Sequence, residues 1–499
     1  MSRDSPLTPR RDADDIQALV GTGFGKLRGA CYLMLRVVDA RAARTWIRTQ
    51  NVASVGDLSR GVLEHVIQVA FTAAGLRALG VADAILSGFA PEYLEGMAGD
   101  PSRSRRLGDI GENVPSAWQW GVEDREPHVV LLLFAATDEI VGFAERTCVA
   151  ALAAGLTLVE ALPTGELDDR EPFGFVDGIS QPAIDWEDKR TPSTSADMDF
   201  HNIVAPGEVL LGYRNEYNLF SGRPLLDMAA AGAERLPAAA DNPDKRDLGR
   251  NGSYLVFRQL DQDVRGFWHW VHQAAGADGA VDLAEAMVGR KVSGAPFTAL
   301  GARDISGVKD RALNGFTYSL DPDGIVCPHG GHIRRANPRT GDYPGGRSGV
   351  IAKLIAALGL SGTAEADVIA SSRFHRLLRR GRRFGERFEV GDALQPDLPD
   401  PKAGLYFICL NANIGRQFEF VQGAWLANPK FGGVSGEQDP LLGNRLPFPP
   451  GRATDRFTRP QPDGPCRVMS GLPQFVHVRG GAYFFLPGLR ALAWLLGAP

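Results

Sequence analysis

Apolar and polar positions along the first third of the chain follow an ordered pattern. Residues 31–38 (CYLMLRVV) form an apolar run of strand length, and 40–49 follow with helical character. Residues 65–72 (HVIQVAFT) and 128–135 (HVVLLLFA) read as further strands. Residues 138–154 space their apolar side chains as a helix does, and 156–162 return to strand. Strand–helix–strand, given twice, is the split βαβ order of a ferredoxin-like domain. The second half repeats the opening. Residues 254–269 (YLVFRQLDQDVRGFWH) align without gaps on 32–47 (YLMLRVVDARAARTWI), sharing Tyr, Leu, Arg, Asp and Trp. Residues 404–412 (GLYFICLNA) then read as a buried strand followed by a helix, and 474–486 as a closing strand.

The expected architecture is α+β, with two ferredoxin-like lobes, dimeric α/β-barrel-like, built of antiparallel sheets and long connecting loops. Its bounds are a polar leader over 1–14, an N-terminal lobe over 15–186 that ends in the GFVDG loop, a loop-rich connection over 187–249, and a C-terminal lobe over 250–499. Further loop-rich stretches at 392–403 and 431–464 are of the length that covers pockets or carries function.

Composition narrows the classes. With 499 residues and 44% hydrophobic content, the chain exceeds the size at which one core stops growing, and it can enclose a cofactor. A net charge of −5, from 54 basic and 59 acidic residues, argues against a polyanion partner. The five cysteines, Cys31, Cys148, Cys327, Cys409 and Cys466, are scattered and form no CxxC, so neither a disulfide framework nor a thiolate zinc site is indicated. No export signal is legible at the amino end, and no apolar run reaches the roughly 20 residues of a membrane span. The expectation is a cytoplasmic protein with no nucleic-acid or membrane partner; a homo-oligomer is compatible with it.

Three constellations carry chemistry. In 174–182 (GFVDGISQP), Asp177 stands between glycines and apolar residues, in a tight loop where backbone approaches a ligand closely and little water remains. The plain alternative is an Asp that caps its own turn. In 327–339 (CPHGGHIRRANPR), His329 and His332 lie three apart. A closed zinc site would need four ligands, and no matching Cys or His pair occurs elsewhere, whereas an axial haem ligand needs one imidazole with a partner on its other nitrogen. In 375–385 (HRLLRRGRRFG), the arginines read mostly as a solvated basic helix end stopped by Gly381, with some turned inward to anionic groups; His375 reads as a surface residue. Residues 21–26 (GTGFGK) have the wrong glycine spacing for a phosphate loop. Trp268, Trp270, Tyr254 and Tyr406 read as core before electron relays.

In this order, a GxxDG loop, a histidine, and an arginine ahead of Gly and an aromatic–Gly pair, the chain resembles the dye-decolourising peroxidases. The resemblance extends to 15–35, 286–296, 314–339, 375–385 and 404–443. It implies haem b as cofactor, held mainly in the second lobe. It also implies His332 as proximal iron ligand, Asp177 as distal acid, Arg379 as distal arginine, and Arg339, Leu405 and Phe407 as cofactor-binding residues. Some family members carry Asn two residues beyond the distal arginine; here Gly381 stands there. Asp439 or Glu437 is expected to accept the other ring proton of His332. The implied activity is reduction of hydrogen peroxide with dyes, phenols or similar small-molecule electron donors, bulky donors giving their electrons through a surface Trp or Tyr. The competing expectation is a haem-binding or haem-handling protein on the same fold, for iron removal, chlorite chemistry or carriage.

Overall fold

The structure is a computed structural model describing residues 8–187, 203–297, 313–314, 316, 318, 321–339, 372–386, 389–395, 398–400, 402–446 and 453–497. Part of the predicted connection, 188–202, lies outside the described residues.

The first predicted units form with shifts of one or two residues. Strand β1 (Gly29–Val37) leads into α1 (Ala40–Arg48), whose start is set by Asp39: its carboxylate accepts from the N–H groups of Arg41 and Ala42. Strands β2 (Val66–Phe71) and β3 (Val129–Ala135), helix α2 (Ile140–Ala153) and strand β4 (Leu156–Pro163) complete the half. In the second half come β5 (Ser253–Gln262), α3 (Val264–Ala275), α4 (Ala280–Val288), the short α5 (His332–Ala336), β6 (Leu378–Arg379), β7 (Arg382–Gly385), β8 (Ala403–Asn411), β9 (Val476–Leu486) and α6 (Leu489–Gly497). Asp263 caps α3 as Asp39 caps α1, accepting from Gly266 N–H. This cap falls two residues beyond the aspartate that the ungapped repeat aligns, as β5 itself starts and ends later than β1 in that alignment.

All these strands lie in one antiparallel sheet of order β6-β8-β5-β9-β2-β3-β1-β4, with β7 also paired to β8. Each half keeps the same internal order, and the halves meet where β9 pairs β2 at Phe485 and Phe71. The outer edges approach at one hydrogen bond, Gly165 N–H to the Arg383 carbonyl (3.0 Å). Because side chains alternate across a strand, each face carries its own core. Tyr32, Phe134, Phe257 and Tyr406 meet on one face, with Tyr32 at 5.4 Å from Phe257 and 5.7 Å from Tyr406 between ring centres. The opposite face receives the helices and holds Leu33, Leu131, Val256, Trp268 and Tyr483. Trp268, Trp270, Tyr254 and Tyr406 are all buried in these cores.

Two expectations are corrected. The connection is loop in backbone but not in burial, since Leu210, Leu211, Tyr213, Leu226 and Leu248 join the core. The arginine run is not a helix end: β6 and β7 are edge strands along β8, and Arg380 and Arg382 are spent on loop carbonyls. Arg380 donates to the carbonyls of Leu19 and Val20, and Arg382 to those of Gly23, Phe24, Leu27 and Arg28. The glycine-rich 21–26 segment thus presents the Gly23 and Phe24 carbonyls to the Arg382 guanidinium of the other half. Among the described residues no helix is long and apolar enough to cross a membrane.

Candidate functional site

The polypeptide leaving β4 forms a tight turn before reaching Asp177. Arg170 and Val176 pair across it, and Gly174 (φ 99°) and Gly178 (φ 80°) take backbone conformations that a Cβ makes costly. Glu171 closes the turn, its carboxylate accepting from the N–H groups of Phe173 and Phe175 (3.0 Å each). Gln181, four residues beyond Asp177, accepts from Arg379 N–H (2.9 Å) and so fastens this loop to strand β6. Arg379 Nη1 then donates to Asp177 Oδ1 at 3.2 Å. Burial alone would raise the Asp177 carboxyl. The Arg379 charge and the hydrogen bonds from Gly178 N–H and Arg379 outweigh it, and the acid is held below its ordinary value of 3.8.

His332 opens helix α5. The next two arginines lock that short helix in place: Arg334 reaches Asp321, and Arg335 donates to the carbonyls of Gly330, Trp425, Asn428 and Glu437. Neither faces solvent, since both are almost wholly buried. His332 Nδ1–H donates to Asp439 Oδ2 at 2.9 Å. Asp439 is fully buried, and its other oxygen accepts from Leu441 N–H (2.9 Å) and Leu442 N–H (2.8 Å). Burial would push this carboxyl up, but the His332 charge and these hydrogen bonds hold it below the ordinary value. The imidazole is raised in turn: burial disfavours its charge, and the Asp439 carboxylate more than compensates. Of the two carboxylates weighed for this role, Asp439 makes the contact, whereas Glu437 offers its backbone carbonyl to Arg335.

Asp177, Arg379 and His332 line one cavity of about 1830 Å³, counting the open space at its mouth. Asp177 keeps 43% and His332 26% of the side chain accessible. Leu405 and Phe407, on the helix-bearing face of β8, form part of the wall with Phe418, Trp425, Leu441 and Leu442. Arg339 is a correction. It is not among the cavity-lining residues; its guanidinium lies 4.0 Å from the Phe316 ring and donates to the carbonyls of Asn314 and Phe316 and to Asn314 Oδ1. His329 is likewise absent from the lining. His375 is the reverse case: it lines the cavity, is bonded to the Arg416 carbonyl through Nδ1 (2.6 Å), and stacks on Phe420 at 3.9 Å.

Glu171, Arg290, Gln262 and Arg376 also line the cavity, and sequence reasoning singled out none of them for the site. Among the described residues Arg290 carries an Nη2 with no hydrogen-bond partner. Only its place in AMVGRKVSGAP, a segment already tied to the family, could have drawn notice to it. Glu171 stands three residues before Gly174 and gave no separate signal.

Known proteins were compared with this chain on sequence and on structure. No family model matches. A multifunctional dye peroxidase from an Amycolatopsis species is 31% identical, the match covering 92% of this chain and 91% of that protein. A dye-decolourising peroxidase of Exidia glandulosa is 27% identical over 98% of this chain and 87% of its own length. The crystal structure of a fungal peroxidase of this type from Auricularia auricula-judae superimposes with a TM-score of 0.73 at 25% identity, covering 98% of this chain and 99% of that one. A dye-decolourising peroxidase solved in complex with 2,6-dimethoxyphenol shares the fold, with a TM-score of 0.71 at 24% identity over 97% of this chain and 99% of that chain. Identity of this level, sustained along nearly the whole chain and carried on a common fold, makes this protein a member of the dye-decolourising peroxidases.

Proposed function

We propose that the cavity would hold haem b with His332 as its iron ligand, and that Asp177 and Arg379 handle hydrogen peroxide there while dyes or phenols supply the electrons. The fit rests on the chain's own groups. Asp439 occupies Nδ1 of His332, which leaves Nε2 for a metal and keeps the ring from turning. Among the described residues no three His, Cys, Asp or Glu side chains group as ligands for a bare ion, whereas a macrocycle that brings its own nitrogens asks for one imidazole. The walls are mainly apolar, and the unpartnered Nη2 of buried Arg290 suits an anionic carboxylate such as a haem propionate.

Bound haem would supply the redox chemistry, taking oxidising equivalents from peroxide and passing them to a donor. Asp177, ionised because Arg379 keeps it so, accepts the proton from one peroxide oxygen and returns it to the oxygen that departs as water. Arg379 stays cationic throughout, holds the peroxide anion and stabilises charge as the O–O bond breaks. Leu405 and Phe407 make one wall of the cavity apolar and exclude water from it. The donor class follows the relatives, which are named for dyes and include one solved with a phenol bound.

One observation carries this reading: an Asp/Arg pair and a carboxylate-anchored histidine share a single cavity. Spectra and stopped-flow kinetics test it. His332→Ala is expected to lose haem and His329→Ala to retain it. Asp177→Asn and Arg379→Leu are expected to keep haem but slow the reaction with peroxide by roughly 100-fold or more. Haem bound without peroxide turnover in the unaltered protein would favour a carrier. Unaltered peroxide kinetics in both distal variants would remove those residues from the mechanism.

A further inference from the structure

We infer that Glu171 carries protons for the peroxidase reaction, passing them between a second pocket on the far side of the GFVDG turn and the cavity beside Asp177. The inference rests on the reading of the cavity given above and extends it to a residue with no assigned role.

The geometry comes first. A second pocket, of about 700 Å³ counting its mouth, opens behind the turn and is lined by Asp168, Arg170, Arg383, Glu386 and Glu389, among others. Among the described residues, Glu171 alone lines both this pocket and the main cavity. Its Oε2, besides accepting from Phe173 N–H, accepts from Gln262 Nε2 (3.0 Å), and Gln262 itself lines the main cavity. Gln262 is only 5% exposed, and its Oε1 has no hydrogen-bond partner among the described residues. A buried acceptor without a partner costs free energy unless a water or a proton donor serves it. One carboxyl therefore joins an outward pocket to an inner acceptor.

The charges around Glu171 are nearly all engaged elsewhere. On its own loop Asp168 pairs with Arg383 of β7, Arg170 donates to the Gly174 carbonyl, and Asp177 pairs with Arg379 of β6. Arg258 of β5 pairs with Asp109. Glu386 and Glu389 line the second pocket, and Arg290 and His332 line the cavity. Among the described residues no cation forms a salt bridge to Glu171, and the nearby Asp177 charge opposes its ionisation. Burial and that charge lift the carboxyl to about 7 against the hydrogen bonds from Gln262, Phe175 and Phe173. Glu171 thus holds its proton below that value and loses it above. Asp177, held low by Arg379, stores no proton over the same range.

The reaction has a use for such a store. Peroxide, two electrons and two protons give two waters. The proton that Asp177 moves from one peroxide oxygen to the other yields the first water with no net uptake. The second water needs two electrons from the donors and two protons from outside the cavity. In each transfer the Glu171 O–H bond breaks, the proton moves to the cavity side, and the carboxylate regains a proton from solvent through the second pocket. A phenol donor releases its own proton to solvent as it gives up its electron, so the balance closes.

The holoenzyme tests this with Glu171→Gln and Glu171→Asp. In stopped-flow, Glu171→Gln is expected to slow the donor-driven phase about 100-fold, at least about ten times more than it slows the peroxide-driven phase. The wild-type donor-driven phase should fall as pH rises through about 7, and that limb should vanish in Glu171→Gln and return in Glu171→Asp. Infrared difference spectra of the resting holoenzyme should show a carboxylic-acid band lost between roughly pH 6 and 8 and missing from Glu171→Gln. A donor-driven phase of wild-type rate and pH dependence in Glu171→Gln would overturn the inference. So would equal slowing of both phases, which would make Glu171 only a brace for the turn. If instead Asp177→Asn leaves the peroxide-driven phase intact, it is the reading of the cavity that fails.

Discussion

Asp177 is ionised in an enclosed site because one guanidinium stands 3.2 Å away, and that dependence makes its titration a measurable property. A carboxyl whose value in the folded protein is depressed stays charged until the pH falls through that lowered value. The peroxide-driven phase is therefore expected to be level from neutral pH down to about 4 and to decline only below the ordinary 3.8. In Arg379→Leu the opposing effect of burial is left unbalanced, so the acid limb should move to higher pH; a limb that stays in place would remove Arg379 as the cause. At this scale Asp177, His332 and Arg379 were legible, since each sits in a motif whose glycines or neighbours are unusual. Arg339 was misread and Glu171 overlooked for one reason: a string of letters does not tell which guanidinium meets carbonyls and which meets a cavity. The terminal nitrogens of Arg339 are taken by Asn314 and Phe316, Arg334 by Asp321 and backbone carbonyls, and Arg335 by backbone carbonyls, so the basic residues around His332 act as fasteners.

At the scale of elements, the segment 378–385 shows how burial overrides composition. Six arginines between 376 and 387 look solvated, yet β6 and β7 lay Arg379, Arg382 and Arg383 along β8, and the guanidiniums of Arg380 and Arg382 reach across to the loop before β1. Gly381 permits this. A Cβ there would meet the Tyr406 carbonyl oxygen at 2.3 Å and Ile408 N at 3.0 Å. The Asn that some relatives carry at this place cannot enter the same backbone. Gly381→Asn is expected to cost about 1–3 kcal/mol, read as a lower denaturation midpoint, and to slow the peroxide-driven phase because Arg379 is two residues away. Unchanged stability would mean that β6 and β7 can move off β8. By contrast, strands β1 to β4 and helices α1 and α2 were legible almost residue by residue, because long apolar runs separated by a capped helix leave few other ways to bury the same side chains.

For the whole molecule, the repeat in the sequence points to two lobes, and the sheet shows that they are not independent. Strand β9 joins β2, Tyr32 from the first half packs on Phe257 and Tyr406 from the second, and Arg250 of the second half reaches back to Asp12. A boundary between two self-sufficient units would leave few such contacts. The protein is expected to melt in a single cooperative transition by calorimetry, with the 15–186 and 250–499 segments failing to fold separately. Two resolved transitions would restore the independent-lobe picture. The site follows from this arrangement: Asp177 comes from the end of the first half, and Arg379, His332 and Asp439 from three separate stretches of the second, so no single half contains it.

By itself the sequence determined the order of strands and helices in the first half, the tight glycine-flanked turn at Asp177, and the family, since those depend on neighbours in the chain and on side-chain type. Only the tertiary structure decided which carboxylate holds His332, which arginines face the cavity, and that Glu171 stands between two pockets. Those outcomes depend on distances between residues about a hundred or more positions apart, and on whether each polar group is satisfied by backbone or left facing an opening.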